Sequence, residues 1–213
     1  MLPEKFLKAV FPPMCAACDV FLDAEEVLLC PSCQSRVIWI DTDFFGKHLS
    51  KQYFDTAKSL AMFDSVWQNV IHRFKYNRMS CLASKFASLL SKKIDFEYDL
   101  IAFVPMHKRK IMERGYNQSA LLAKKLVKET GLNIRYDLLK RTVDNKPQIG
   151  FSARERVLNV KGIFDVGSKL DIKGKDILLI DDVITTGATV NECAQVLKKN
   201  SAGRVDVLTL ARA

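Results

Sequence analysis

Apolar residues in this chain follow two alternating patterns, one typical of buried strands and one typical of amphipathic helices. Strand-like runs are predicted at 57–63, 99–104, 138–142, 176–180 and 205–210. Helical spacing is predicted at 66–76, 81–90, 118–130 (closed by Gly131 as a C-cap) and 188–199. Because strands alternate with helices, we expect an α/β fold with a mostly parallel sheet and helices on both of its faces.

The remaining segments predict a small unit in front of this fold. Residues 1–13 are typical of a short helix ended by two prolines, and 14 to about 40 contain clustered cysteines. Residues 41–52 have the composition of a linker, 105–117 of a basic turn and 143–151 of a loop. Ser152, with Glu155 three residues later, predicts the N-cap of a short helix. We therefore predict two units, 1–50 and 51–213.

Four of the six cysteines form two C-x-x-C pairs, Cys15/Cys18 and Cys30/Cys33. Two such knuckles supply the four thiolates of a closed, structural zinc site, and the metal would stabilise a segment too small to fold alone. A disulfide pairing fits a reducing compartment poorly, and a redox motif would explain only one of the pairs. Cys81 and Cys193 fall in helical patterns, and we expect both to be buried.

Composition places the chain among globular proteins, with 48% hydrophobic and 27% charged residues. No apolar run approaches the roughly 20 residues that a membrane helix needs, so membrane insertion is not expected. The first ten residues are too interrupted for a signal peptide. These features predict a cytoplasmic protein.

The positive charge is concentrated in one stretch. The net charge is +9, and residues 105–161 hold 14 basic and 5 acidic side chains, while the segments on either side are neutral. Such a concentration favours a polyanionic partner, namely nucleic acid, an anionic membrane surface or a phosphorylated small molecule. The alternative is a solvated helix face, which suits the lysines at 124, 125 and 128 but not the basic residues near the Pro- and Gly-containing loops.

A strand followed by two acids and a threonine-rich loop is the most informative segment. The apolar run 177–180 leads into Asp181 and Asp182, and the loop and helix start that follow contribute Thr185, Thr186, Gly187, Ala188 and Thr189. A helix N-terminus binds anions, and ligands of open α/β sheets lie at the carboxyl ends of strands. We therefore predict a sugar-phosphate site, in which the carboxylates accept ribose hydroxyls and the loop holds a 5′-phosphate. The alternative is a helix cap without ligand.

This segment resembles the phosphoribosyl pyrophosphate (PRPP) motif of type I phosphoribosyltransferases. Three further blocks resemble the ComF family, namely 104–118 (V-P-M-H…E-R-G-Y-N-Q), 140–162 and 207–213. The four-cysteine element is also a feature of that family, so the resemblance covers nearly the whole chain. Lys108 departs from the pattern, since many members have proline there.

The resemblance implies a type I phosphoribosyltransferase-like domain behind a small zinc-finger module. It places pyrophosphate near His107, Lys108 and Arg109, in the loop after the first main strand. It places the ribose hydroxyls on Asp181 and Asp182, with the 5′-phosphate on residues 185–189. Mg²⁺ usually accompanies PRPP with few direct protein ligands. The basic loop 141–161 lies where related enzymes have a mobile lid.

The resemblance also implies a competence protein of natural transformation. Such proteins aid the passage of single-stranded DNA across the inner membrane, together with a DNA translocase and other uptake proteins. A peripheral location at that membrane, through these partners, is the alternative to a purely cytoplasmic one. Basic residues interleaved with aromatics suit single strands. The candidate DNA contacts are Lys75, Lys108, Arg109, Lys110, Arg114, Arg141, Arg154 and Arg156.

An active phosphoribosyltransferase is the alternative function. It would transfer ribose 5-phosphate from PRPP to a nitrogen base and release pyrophosphate, mainly by positioning and by charge stabilisation. The basic stretch serves this hypothesis equally well, because PRPP is itself strongly anionic. The sequence shows no obvious hood for recognising a base, and the four-cysteine unit stands at the N-terminal position where a hood would otherwise lie.

Overall fold

The computed structural model describes residues 13–23, 28–44, 46, 49–76, 79–143, 160–167 and 172–213. The helices predicted before Pro13 and after Ser152 therefore lie outside the described residues. In chain order the elements are α1 (Pro31–Gln34), β1 (Ala57–Met62), α2 (Ser65–Tyr76), α3 (Leu82–Ser91), β2 (Leu100–Phe103), α4 (Lys108–Arg114), α5 (Gln118–Thr130), β3 (Asn133–Ile134), β4 (Leu139–Arg141), β5 (Phe164–Val166), β6 (Ile177–Ile184), α6 (Ala188–Lys199) and β7 (Val205–Arg212).

Five strands form one parallel sheet in the order β1-β7-β6-β2-β3. The central strands β6 and β7 are buried on both faces over most of their length, as expected of strands that helices cover from two sides. Along β6, Leu178 and Ile180 pack with the helices α2, α3 and α5, while Ile177 and Leu179 pack with α6. The predicted α/β class, with a mostly parallel sheet between helices, is confirmed.

Most predicted elements are present with small shifts of their ends. The helix 118–130 is confirmed, with the Asn117 side chain accepting hydrogen bonds from the N–H groups of Ser119 and Ala120, and with Gly131 as its C-cap. The helix 188–199 is confirmed without change. The strands β3 and β5 were not predicted, because two and three residues are too few to show a period.

Three predictions were wrong. The basic turn at 105–117 contains the helix α4, which the side chain of His107 caps at its start. The strand predicted at 176–180 continues to Ile184, so Asp181 and Asp182 lie within it. Pairing with β7 extends the strand, since Asp181 lies opposite Thr209. Cys81 is exposed, because it lies at the N-terminal end of α3 and not on its packed face.

The four-cysteine module packs directly on the first helix of the sheet domain. Trp39 lies edge-on to the buried Trp67 of α2, with ring centroids 5.8 Å apart. The backbone of residues 38–40 bonds to β1, including Ile40 N–H to the Leu60 carbonyl at 3.0 Å. Arg73 of α2 forms a two-pronged ion pair with Asp19, which follows the first cysteine knuckle. The module therefore shares the hydrophobic core of the helices α2, α3 and α5.

Candidate functional site

The two adjacent acids lie where the sheet opens between β2 and β6. The pairing of β2 with β6 stops at Phe103 opposite Ile180, whereas β6 continues beside β7 to Ile184. From β2 the chain passes outward to β3, and it later returns on the other side of β2 as β6. Ligands of open α/β folds bind at such a change of direction, at the carboxyl ends of the strands. Asp181 and Asp182 are the first residues past that point.

Asp181 is held by two donors and carries a perturbed acidity. Its Oδ1 accepts hydrogen bonds from the Ser119 hydroxyl and from the Asp182 N–H, both at 2.9 Å. Burial, followed by the neighbouring Asp182 carboxylate, raises the pKa of Asp181 to about 7. The two hydrogen bonds and Lys75 oppose this rise. A carboxyl with such a pKa can accept or donate hydrogen bonds near neutrality, which suits contact with a sugar hydroxyl.

Asp182 is paired with a lysine from a different part of the chain. The Nζ of Lys75, at the C-terminal end of α2, lies 2.8 Å from Asp182 Oδ2. The Lys75 and Asp182 side chains are 21% and 14% exposed, so water screens this pair only in part. The ammonium group offsets one of the two negative charges. The acid pair therefore presents less repulsion to an anionic ligand than two free carboxylates would.

The loop after the acids forms a tight turn into α6. Gly187 adopts a φ of 78°, and a Cβ at this position would lie 3.0 Å from the ring of Phe44, so glycine meets both a conformational and a steric need. The Thr186 hydroxyl accepts a hydrogen bond from the Ala188 N–H at 3.3 Å. Thr186 thus caps the start of α6, as expected if this loop were only a helix cap without ligand. The two acids do not cap this helix, because Asp181 bonds to Ser119 and Asp182 bonds to Lys75.

The predicted pyrophosphate residues lie at the other side of the opening. Residues 104–107 connect the carboxyl end of β2 to α4, and His107 is the N-cap of that helix. Its imidazole Nδ1 accepts from the Arg109 N–H at 3.3 Å. Lys108 and Arg109 are exposed, and Arg109 lies 3.6 Å from Glu113 one turn later. Among the described residues, the side-chain partners of the acid pair are Ser119 and Lys75.

The candidate DNA contacts divide into surface and inward-facing residues. Lys108, Arg109 and Lys110 lie on α4. Arg141 lies on β4, where its Nε donates to the Val143 carbonyl at 3.0 Å. Lys75 instead faces the acid pair, and Arg114 contacts both Gln118 of α5 and the exposed Tyr76. Arg154 and Arg156 lie outside the described residues.

Among the aromatics that interleave with these basic residues, only one is exposed. Phe74 is completely buried, which confirms the core-packing interpretation. The Tyr116 hydroxyl donates to the Phe74 carbonyl. Tyr76 is 54% exposed, and the Arg114 guanidinium lies 4.8 Å from its ring centre. The His72 ring also packs against Tyr76, with ring centroids 4.9 Å apart. A base could therefore contact the exposed cluster of Tyr76, Arg114 and His72 rather than an open ring.

The four predicted cysteine ligands come together as one cluster. The sulfur atoms of Cys15, Cys18, Cys30 and Cys33 all lie within 4.8 Å of one another, and those of Cys18 and Cys30 are 3.8 Å apart. Four thiolates about 2.3 Å from one zinc ion would have sulfur–sulfur separations of roughly 3.8 Å, so the donor set fits tetrahedral zinc. Burial raises the pKa of Cys15, but N–H groups led by that of Cys30 outweigh it and lower that pKa to about 7.

The acid pair does not resemble a metal cage. Among the described residues, the four cysteines form the one group of three or more potential ligands. Asp181 and Asp182 already bond to Ser119 and Lys75, so a hard cation at this site would take most of its oxygen ligands from a bound diphosphate. That Mg²⁺ arrives with a phosphorylated ligand stays a prediction.

Sequence reasoning missed two partners of the acids. The role of Ser119 was not predicted, although this residue lies two positions after the helix cap Asn117. Lys75 was assigned to DNA and not to the acid pair. No spacing rule joins positions 75, 119 and 181, because their neighbourhood depends on how α2 and α5 pack on the sheet.

Comparison with known proteins gives a family for most of the chain. The phosphoribosyl transferase domain matches residues 111–213. DNA utilization protein YhgH of Escherichia coli K12 is 34% identical over 151 residues, 67% of this chain and 66% of that protein. Competence protein ComFC of Bacillus subtilis is 30% identical over 160 residues, 73% of this chain and 63% of that protein. Competence protein F of Haemophilus influenzae is 36% identical over 111 residues, 52% of this chain and 48% of that protein.

These alignments span about two thirds or less of each relative's own length. Within the part of the chain that the structure describes, no helix has both the length and the apolar character needed to cross a membrane.

Proposed function

Because this chain belongs to the ComF-like family and carries a phosphoribosyltransferase-type domain, we propose that it is a DNA-handling protein of competence that binds PRPP. The names of its relatives, competence protein and DNA utilization protein, support the first part of this proposal. The geometry at the carboxyl end of β6 supports the second. The observation that carries it is the acid pair Asp181–Asp182 beside the glycine turn at 187, at the opening between β2 and β6.

The arrangement suits a ribose bearing phosphates at both ends. Asp181 and Asp182 accept hydroxyl hydrogen bonds from the ribose, and the turn at 185–189 offers backbone N–H groups and threonine hydroxyls to the 5′-phosphate. His107, Lys108 and Arg109, across the opening, would hold the diphosphate. Mg²⁺, if it arrives with the ligand, would neutralise charge on that diphosphate. Each group of the ligand thus meets residues of complementary chemistry.

Calorimetric titration with PRPP and Mg²⁺ tests the PRPP site. We expect the double variant Asp181→Ala/Asp182→Ala to lose PRPP binding, because it removes both proposed ribose acceptors. Since both carboxylates are largely buried, circular dichroism of the variant checks that the fold is kept. Asp165→Ala, which removes an exposed acid on β5, is the matched control and should bind as the wild type does. Unchanged affinity in the double variant would refute the site.

Single-stranded DNA is the second proposed ligand. Phosphate neutralisation dominates non-specific affinity, and the exposed basic residues of α4 adjoin the opening of the sheet. Tyr76 adds an exposed ring flanked by the Arg114 guanidinium. Charge combined with an aromatic face is the usual means of binding single strands. DNA and PRPP would then occupy neighbouring surfaces.

Fluorescence anisotropy with a labelled oligonucleotide of about 15 nucleotides tests DNA binding at several salt concentrations. Lys108→Ala/Arg109→Ala should weaken binding and lower the salt slope by about one or two. The control, Lys124→Ala/Lys128→Ala, removes the same charge from an exposed face of α5 and should leave the slope unchanged. An unaltered salt slope in the α4 variant would indicate that DNA binds to another surface.

Adding PRPP and Mg²⁺ to the same titration separates two arrangements. Displacement of the oligonucleotide would place both ligands on one face, with PRPP as a competitor or regulator. An unchanged signal would give DNA a surface of its own.

Phosphoribosyl transfer is the alternative function, and the match of residues 111–213 to the phosphoribosyl transferase domain favours it. Pyrophosphate release would then be detected when PRPP is incubated with one of a panel of purine and pyrimidine bases. Release that depends on both the base and Asp181/Asp182 would establish the enzyme. Binding of PRPP without release would leave it as a ligand or regulator.

The remaining parts of the proposal come from the cysteine spacing, the composition and the family resemblance, in that order. They are structural zinc at Cys15, Cys18, Cys30 and Cys33, a cytoplasmic location, and contact with a DNA translocase and other uptake proteins at the inner membrane. The four-cysteine module has few basic residues, and Arg36 is the nearest of them to the cysteines. We therefore assign the module a structural or protein-binding role and not DNA contact.

A further inference from the structure

Lys75 lies at the acid pair because several separate contacts hold the end of its helix. Lys75 is next to the last residue of α2, and the three residues Phe74, Lys75 and Tyr76 are each bonded to the segment 114–118. Helix ends fray when their last carbonyls lack partners. The segment 114–118 supplies those partners, and it does so from a position about 40 residues later in the chain.

The contacts engage backbone as well as side-chain atoms of the helix end. The Tyr116 hydroxyl donates to the Phe74 carbonyl, and the Gln118 carboxamide donates to the Lys75 carbonyl at 3.4 Å. Arg114 donates to the Tyr76 hydroxyl at 2.8 Å and to the Gln118 carboxamide oxygen at 3.3 Å. We call these residues, Arg114, Tyr116 and Gln118, the helix clamp.

The clamp is itself fixed to the sheet beside the proposed ribose position. Gln118 is fully buried, and the side chain of Asn117 donates to the Val104 carbonyl at 3.1 Å, just past the end of β2. The next residue, Ser119, donates to Asp181. One short segment therefore positions a partner for each acid, Ser119 directly for Asp181 and Lys75 through the clamp for Asp182.

From this geometry we infer that Lys75 is a ligand-binding cation of the sugar-phosphate site and that the helix clamp positions it there. This inference rests on the proposed PRPP function and adds to it a cation that no sequence motif assigns to the site. An ammonium group has three N–H donors, and Asp182 accepts one of them, so the others can serve an anionic oxygen of the ligand. Lys75 also keeps Asp182 from repelling that anion.

Calorimetry with PRPP and Mg²⁺, and separately with ribose 5-phosphate, tests the role of Lys75. We expect Lys75→Met to weaken binding of both ligands at least about tenfold, while Lys75→Arg keeps most of the affinity because it keeps the charge. Lys124→Met, which removes an equal charge from the exposed face of α5, should bind as the wild type does. Equal affinity of Lys75→Met and wild type would overturn the inference while leaving the PRPP site intact.

The clamp is tested by combining variants, because a merely structural role and a positioning role then differ. Tyr116→Phe removes one hydrogen bond to the helix end and keeps the ring. Together with Arg114→Met it should weaken PRPP binding several-fold in the wild type and have no further effect in the Lys75→Met protein. Additive losses would show that the clamp acts independently of Lys75. A wild-type protein that binds neither ligand would refute the proposed function, and this inference with it.

Discussion

The four-cysteine cluster and the acid-pair site are built from residues at very different separations along the chain. All four sulfur ligands lie between residues 15 and 33 and approach within 4.8 Å of one another. The acid-pair site draws on Lys75, Ser119, Asp181 and Asp182, which come from a helix end, a helix start and a strand. The first is a local structure that a metal can organise. The second forms only when the whole sheet domain has folded.

The two regions also meet on one helix. In the last turns of α2, Arg73 is paired with Asp19 of the cysteine module and Lys75 with Asp182 of the acid pair. The module therefore braces the same helix end that presents the lysine. Experiments on either region can show how far each depends on the other.

Metal removal should produce the largest effect. Structural zinc binds with an apparent free energy on the order of 10 kcal/mol, and the module has little core of its own, so a strong chelator should release about one zinc per chain and unfold residues 14–40. Trp39 fluorescence reports this, since its ring lies against Trp67. Purified protein without bound metal would contradict the zinc assignment. Cys81→Ser, at an exposed cysteine outside the cluster, is the control and should keep its zinc.

A pH dependence of moderate size is expected from the acid pair. In the unfolded chain Asp181 ionises near its ordinary pKa, whereas in the folded protein burial raises that pKa to about 7. The folded state therefore binds more protons between these values, so the free energy of unfolding should fall as pH rises from about 4 to 7, by roughly 1–3 kcal/mol.

The measurement is the urea midpoint of wild type and Asp181→Asn at several pH values. The asparagine variant cannot ionise, so its stability relative to wild type should increase as pH rises. Asp165→Asn, at an exposed acid, is the control and should follow the wild type. Parallel curves for wild type and Asp181→Asn would contradict the raised pKa.

The smallest effect is expected from the ion pair Asp19–Arg73, which joins the four-cysteine module to the end of α2. Asp19→Asn removes the charge that pairs with Arg73, and asparagine tolerates the positive φ of 62° at that position. Because this pair is exposed on the Asp19 side, we expect a small decrease in melting temperature that high salt removes. PRPP affinity should fall by less than threefold, since the helix clamp still holds Lys75. A large loss of PRPP binding would show that the cysteine module, and not the clamp, controls the helix end.

For residues 177–189, the sequence correctly predicted the acid pair and the turn but gave the wrong end for the strand β6. The apolar run, the two acids and the turn are contiguous, so their chemistry could be inferred from residues 177–189 alone. The strand was predicted to stop at Ile180 because charged residues normally end a buried strand. Pairing with β7 continues past the acids, because β7 is long enough to pair with them. The local pattern of β6 cannot predict the length of its neighbouring strand.

The sequence by itself determined the cysteine cluster, the longer helices and strands in their order, and the acid pair with its glycine turn. Each of these depends on spacings shorter than one element, and periodicity or ligand spacing expresses them directly. The tertiary structure decided that Ser119 and Lys75 serve the acids, that Phe74 is buried while Tyr76 is exposed, and that Arg114, Tyr116 and Gln118 hold the end of α2. These neighbours lie tens of residues apart, and only the packing of helices on a shared sheet brings their atoms within hydrogen-bond distance.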